Sequence, residues 1–203
     1  MFRRDPWLTA VLLALLGFQL SGCALPRREI PGNLRPAVDA AIEKVRPALV
    51  RIRVVSTDYS DGREIKVQSV GSGAIITEDG YLVTNHHVAG HGTRMFCTLW
   101  NREEIEADLV GTDPLTDISV LKLKPKLPRK FATVGFGDSA RMRVGDPVLA
   151  MGSPMALSQS VTLGIISNTE MMMPRFQGSR SRLRLDGEDV GALVKGIGHD
   201  AAI

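Results

Sequence analysis

Apolar residues change their spacing twice along the chain, and each regime predicts a different kind of element. From Trp7 to Leu20 they form a nearly continuous stretch, interrupted by Thr9 and Gln19. That is short for a membrane span, and Arg3-Arg4 precede it, so it predicts the apolar centre of an export signal. Leu34, Val38, Ala41, Ile42 and Val45 then recur at helical intervals, predicting a short amphipathic helix that stops at Arg46-Pro47. From Leu49 onward the period falls to two. Alternating stretches at Leu49–Val55 and Ile65–Ile76 predict strands, and Asp79-Gly80 predicts a turn between Ala74-Ile75-Ile76 and Tyr81-Leu82-Val83. Further strands are expected at Met95–Trp100, Glu104–Val110, Ile118–Lys124, Pro147–Met151 and Val161–Ser167. Many short strands with little helix predict an all-β sandwich or barrel.

Punctuation between these stretches suggests their grouping. Lys124-Pro-Lys-Leu-Pro128 reads either as a connector between two β units or as a surface loop. The stretch from Met171 to Arg184 is loop-like and carries Arg175, Arg180, Arg182 and Arg184 ahead of Asp186. A run of this kind is expected to be a solvated face.

Composition narrows the class. The 203 residues are 44% hydrophobic, enough to bury a core. With 25 basic against 22 acidic residues, the net charge of +3 is too balanced to imply a nucleic-acid partner. The chain has two cysteines. Cys23 closes Leu20-Ser21-Gly22-Cys23 directly after the apolar stretch, which resembles the lipobox of bacterial lipoproteins. The resemblance implies cleavage before Cys23, acylation of its thiol, and (from Ala24) outer-membrane rather than inner-membrane sorting. Cys97 would then have no intrachain disulfide partner.

Candidate chemistry begins with the histidines. His86, His87 and His91 form a His-His-x3-His group, which could ligate a metal. No His-Glu-x-x-His motif and no second cysteine or acid cluster accompany them, so no metal is expected. The surrounding segment, Gly71-Ser-Gly-Ala-Ile-Ile-Thr-Glu-Asp-Gly-Tyr-Leu-Val-Thr-Asn-His-His-Val88, is similar to the HtrA/Deg serine proteases. Their pattern runs Gly-Ser-Gly, β-branched residues, Asp-Gly-Tyr and Thr-Asn-x-His-Val. The resemblance makes His87, not His86, the general base, at a strand end facing a cleft. A second block, Gly111-Thr-Asp-Pro-Leu-Thr-Asp117-Ile-Ser-Val-Leu-Lys-Leu-Lys124, resembles the family's acidic stretch and makes Asp117 the residue that orients His87. Asp117 is expected to open a strand on which Ile118, Val120 and Leu121 are buried. Asp113 is the competitor, but its Asp-Pro context reads as a turn. A third block, Val134-Gly-Phe-Gly-Asp-Ser through Val161-Thr-Leu-Gly-Ile-Ile-Ser167, follows the family's glycine pattern. A fourth, Ile197-Gly-His-Asp-Ala-Ala-Ile203, resembles the stretch just before the family's Gly-Asn-Ser-Gly-Gly-Pro.

The resemblance implies an all-β fold of two trypsin-like antiparallel barrels, the second ending here before the nucleophile block. Ser158, Ser160 and Ser167 lack Gly-x-Ser-Gly surroundings, so no nucleophile is assigned within residues 1–203 and these residues alone are expected to be inactive. The expected division is 1–22 signal peptide, 23–35 lipidated tether, 36–128 helix and first barrel, and 129–203 partial second barrel. The implied function is endoproteolysis of unfolded or misfolded envelope proteins by a lipid-anchored enzyme facing the periplasm, without cofactor and assembled as a homotrimer. The alternative is a non-catalytic lipoprotein that uses the same barrel as a binding or chaperone-like module.

Overall fold

The computed structural model describes residues 34–60, 63–152, 160–172, 184–185, 188–189 and 195–202. Cys23 with its apolar leader, Ser158, and Arg175, Arg180 and Arg182 lie outside these residues. The chain divides into two units, Met1–Pro36 and Ala37–Ile203, and every strand belongs to the second.

Helix α1 covers Arg35–Val45 and buries Val38. Pro36 sits in its first turn, where its missing N–H costs no helical bond. At the far end Pro47 falls in a short 3₁₀ turn, Arg46–Ala48, which hands the chain to the first strand. Six strands follow: β1 Leu49–Ser60, β2 Arg63–Ile75, β3 Tyr81–Thr84, β4 Arg94–Thr98, β5 Glu104–Asp113 and β6 Ile118–Leu123. They close in the order β1-β2-β3-β6-β5-β4, and every pairing is antiparallel. Period-two alternation fills the interior. Val50, Ile52 and Val54 of β1 meet Met95 and Cys97 of β4, Ile105 and Ala107 of β5, and Leu121 and Leu123 of β6 in one core. Burial and the nearby charge of Glu104 push the Cys97 thiol up to about 12, so it behaves as an inert apolar side chain.

The first two strands run further than their alternation suggested. Their register continues from Leu49↔Ala74 to Ser60↔Arg63, whereas β4 pairs with β1 only over residues 51–55. The far part of the hairpin thus extends beyond the closed barrel, with Ile65 and Val67 each 44% exposed. Asp79-Gly80 does lie in the β2–β3 loop. Gly80 has a φ of 95°, a conformation glycine adopts without steric penalty, and the Thr77 hydroxyl accepts the Tyr81 N–H at 2.9 Å.

Of Ile118, Val120 and Leu121, all expected to be buried, only Leu121 is. Ile118 is 49% exposed, while Ser119, Leu121 and Leu123 point inward. An apolar count alone could not see this, because the inward position nearest the active end is a serine.

Beyond β6 the chain closes over the mouth between β2 and β3. Phe131 N–H donates to Glu78 O and Val134 N–H to Ile75 O, each at 2.9 Å, and Phe131 joins the barrel core. A second sheet contains β7 Pro147–Gly152, β8 Ser160–Met172 and β11 Lys195–His199 in the order β11-β8-β7. Strands β9 Arg184–Leu185 and β10 Glu188–Asp189 pair with each other. Among the described residues no helix is long and apolar enough to cross a membrane.

Candidate active site

His87 stands on α2, a single helical turn over His86–Ala89, immediately after β3. The expectation of a strand end is therefore off by one element: the strand stops at Thr84, and Asn85 turns the chain into the helix. Close packing fixes that helix. A side-chain carbon at Gly71 would fall 2.4 Å from Val88, and one at Gly90 would fall 2.3 Å from the His86 ring.

Asp117 ends the turn Pro114–Asp117 just before β6, with a φ of 57°. Aspartate tolerates this left-handed conformation better than most residues. The turn is held by Asp113, whose carboxylate accepts the Leu115 N–H at 3.0 Å and the Thr116 hydroxyl at 2.7 Å. Asp113 is thus occupied as a turn cap, while the Asp117 carboxylate reaches across to α2.

The contacts between Asp117 and the segment 85–87 form a compact set. Asp117 Oδ2 lies 2.8 Å from His87 Nδ1, and Oδ1 lies 3.1 Å from the same nitrogen. The His87 backbone N–H donates to Oδ1 at 3.0 Å, and Asn85 Nδ2 donates to Oδ2 at 3.1 Å. The Asp117 carbonyl accepts the His86 N–H at 3.1 Å and Asn85 Nδ2 at 3.2 Å. The asymmetry in exposure is chemically useful: the carboxylate side chain is 19% exposed and the imidazole 40%. A carboxylate facing Nδ1 favours the tautomer with its proton there, leaving Nε2 with a lone pair able to take a proton from a hydroxyl.

His86 takes a different position. It is 4% exposed, its Nδ1 lies 2.7 Å from Thr112 Oγ1, and its ring meets His91 edge-on at a 5.2 Å centroid separation. His86 and His87 thus face different partners. Among the described residues no group of three or more His, Cys, Asp or Glu side chains could hold a metal ion. Sequence reasoning singled out His87 and Asp117 but missed Asn85 as a carboxylate partner and Thr112 as a partner of His86. Strand register was the only signal for the second, since Thr112 sits opposite Ser119.

A closed six-stranded antiparallel barrel that joins a histidine and an aspartate at one end defines the class: a trypsin-like peptidase barrel. The model of the trypsin-like peptidase domain family matches residues 71–193, and the chain belongs to that family. A "Probable periplasmic serine endoprotease DegP-like" of Pseudomonas putida is 45% identical over 112 residues, covering 55% of this chain and 23% of that protein. A protein of the same description from Bartonella henselae is 50% identical over 97 residues, covering 48% of this chain and 19% of its own length. Among solved structures, "HtrA-type protease AlgW with decapeptide" superposes with a TM-score of 0.61 at 27% identity, covering 80% of this chain and 51% of that one. "HtrA-type protease AlgW with tripeptide" gives a TM-score of 0.58 at 31% identity, covering 68% and 41%. The matches thus span about a quarter or less of these sequence relatives and about half or less of these structures.

Proposed function

We propose that this chain carries the proton-transfer half of an HtrA/Deg-type serine endopeptidase, with His87 as general base and Asp117 as the residue that orients it. The observation that carries the reading is the two-oxygen contact of Asp117 with His87 Nδ1, at 2.8 and 3.1 Å. In the reaction, a serine hydroxyl attacks the peptide carbonyl and His87 Nε2 takes its proton. His87 then returns the proton to the leaving amine, while Asp117 stabilises the transient imidazolium. By the family resemblance the serine and the oxyanion-stabilising N–H groups belong to the Gly-Asn-Ser-Gly-Gly block that follows Asp-Ala-Ala-Ile, here Asp200–Ile203. No cofactor takes part.

The substrates in this reading are unfolded or misfolded polypeptides of the bacterial envelope, in keeping with the periplasmic description of the relatives. The Leu-Ser-Gly-Cys box supports a lipid anchor at Cys23 facing the periplasm, with Ala24 favouring the outer membrane. Residues 1–22 are then the signal peptide, 23–35 the tether, 36–128 the helix and first barrel, and 129–203 part of the second barrel. A homotrimer rests on resemblance to the family alone.

The deciding experiment expresses the reading frame with whatever codons follow Ile203 and measures hydrolysis of unfolded casein and labelling by a serine-directed fluorophosphonate. Turnover that disappears in His87→Ala supports the endopeptidase. A folded product that binds unfolded chains without turnover or labelling overturns it in favour of the non-catalytic lipoprotein module. Incorporation of labelled fatty acid that is lost in Cys23→Ser supports the anchor, and label surviving that substitution refutes it.

A further inference from the structure

Beneath the His87–Asp117 pair lies a second polar cluster with no part in the proton transfer itself. Ser119 is fully buried and His86 nearly so, at 0% and 4% exposure. Thr112 bridges them: its hydroxyl is 2.7 Å from His86 Nδ1 and 2.6 Å from Ser119 Oγ. One hydroxyl can donate once and accept twice, so the chain His86–Thr112–Ser119 can be satisfied in either direction of proton donation. Buried polar groups that lose such a partner are expensive, which makes a satisfied cluster of this kind a stiff joint.

Its position gives the joint a purpose. Thr112 and Ser119 are opposite one another on β5 and β6, the two legs of the hairpin whose turn presents Asp117. His86 belongs to α2 and precedes His87. The cluster therefore ties the helix bearing the base to both legs of the hairpin bearing the carboxylate. A bulge sets Thr112 opposite Ser119. Ladder pairing passes from Leu109↔Leu121 to Gly111↔Val120, so Val110 has no partner, and Thr112, itself exposed at the end of β5, lies opposite the buried Ser119. Bulges near active sites commonly re-aim a side chain in this way. The helix side is equally confined, because the His86 ring occupies the space where a side chain at position 90 would lie.

We propose that Thr112 is a positioning residue: bonded to both His86 and Ser119, its hydroxyl holds α2 against the β5–β6 hairpin so that Asp117 keeps its grip on His87 Nδ1. The proposal rests on the assignment of His87 and Asp117 as the functional pair. It can be read without catalysis, from the Nδ1–H proton of His87 in the chain labelled with 15N-histidine. The near-isosteric Thr112→Val keeps the shape and removes the hydroxyl. The expected result is exchange of the His87 Nδ1–H proton with water about tenfold faster, the scale set by losing one hydrogen bond, with a smaller Nδ1–H tautomer population. Thr112→Ser restores the slow exchange. A Thr112→Val chain that melts at a lower temperature but leaves His87 exchange and tautomer unchanged overturns the proposal, since that is what a purely structural hydroxyl would do. So does a Thr112→Ser chain that behaves like Thr112→Val. Asp117→Asn separates the two levels: if it leaves the His87 signal unmoved, the pairing of His87 with Asp117 is itself wrong, whereas sensitivity to Asp117→Asn without sensitivity to Thr112→Val refutes the positioning role alone.

Discussion

The six-stranded barrel and the β7–β8–β11 sheet are built from similar strands, yet they bury them differently. In the barrel, alternation becomes enclosure: Ile52, Leu82, Cys97 and Leu121 have no exposed surface. In the sheet, β7 has no fully buried residue, and Val161, Leu163 and Ile165 on β8 are 38%, 38% and 46% exposed, with Ile166 the exception at 1%. The difference lies in closure. Strands wrapped into a ring point their inward side chains at one another, while an open sheet buries an apolar face only where another layer lies against it. Strand sequence sets which residues share a face, and architecture sets whether that face is dry.

On the proposed reading the functional pair lies in the barrel, and the largest expected effect is there. The barrel alone brings His87 and Asp117 together. If the proposed endopeptidase reading holds, His87→Ala and Asp117→Asn should each lower casein hydrolysis by about 10⁴-fold with the fold retained. Asp113→Asn disturbs a turn cap rather than the imidazole contact and should cost far less. Initial rates with near-ultraviolet circular dichroism as a fold control decide this, and a loss in Asp113→Asn as deep as in Asp117→Asn would mean the carboxylate has been misassigned.

Stability should divide in the same way. Leu121→Ala opens a cavity in the closed core and should destabilise by about 2–5 kcal/mol. Leu163→Ala, on the partly exposed strand, should cost under about 1 kcal/mol. Urea titrations compare the two, and equal losses would show that the sheet face is covered in solution.

The sheet nevertheless has one tight point. A side-chain carbon at Gly164 would lie 2.3 Å from the Ala201 backbone nitrogen and 2.4 Å from Asp200 Oδ1. Asp200 Oδ1 also accepts the Ile165 N–H at 2.7 Å, and the Thr162 hydroxyl donates to Ala202 O. Gly164→Ala should therefore push residues 200–202 off β8 at a cost of about 1–3 kcal/mol, seen as faster amide exchange at Ile165. The space around Gly111 is open, so Gly111→Ala provides the control, and similar exchange in both variants would show that the contact is slack.

The smallest expected effect is at the barrel surface. A hydrogen bond from Lys122 holds the Asp79 carboxyl below the usual carboxylate range, assisted by Thr77. A depressed folded-state value stabilises above the unfolded-state value near pH 4 and loses that contribution as pH falls further. Because the carboxylate is largely exposed, Asp79→Asn should move the melting temperature at pH 7 by no more than about 2 °C, and the difference from wild type should vanish in acid. A difference that persists once the carboxyl is protonated in both states would place the effect in the loop backbone instead.

Much of this molecule was legible in its sequence. Alternation located β1 to β8, because period two follows from the geometry of a strand wherever it lies. The Thr-Asn-His-His-Val and Asp-Pro-Leu-Thr-Asp stretches marked the functional candidates through their resemblance to the HtrA/Deg pattern, which supplies the residue types a base and its orienting carboxylate require. The helical turn under His87 was not legible, because four residues carry too little periodicity to distinguish a turn of helix from a strand end. For the strand at Lys195–His199 the sequence offered only the resemblance of Ile197–Ile203, since its glycines supply no apolar signal.

What sequence by itself determined is therefore most of the strands and the residues able to do chemistry. Tertiary structure alone decided how those residues meet. The placement of Thr112 opposite Ser119 depends on a bulge at Val110 that shifts the register between β5 and β6, and the meeting of Asp117 with His87 depends on a left-handed turn before β6 facing the helix that follows the neighbouring β3. The contacts that result, Thr112 with His86 and Asp117 with His87, join residues 26 and 30 apart, and such meetings are fixed by the closure of the whole barrel rather than by the local preferences of either segment.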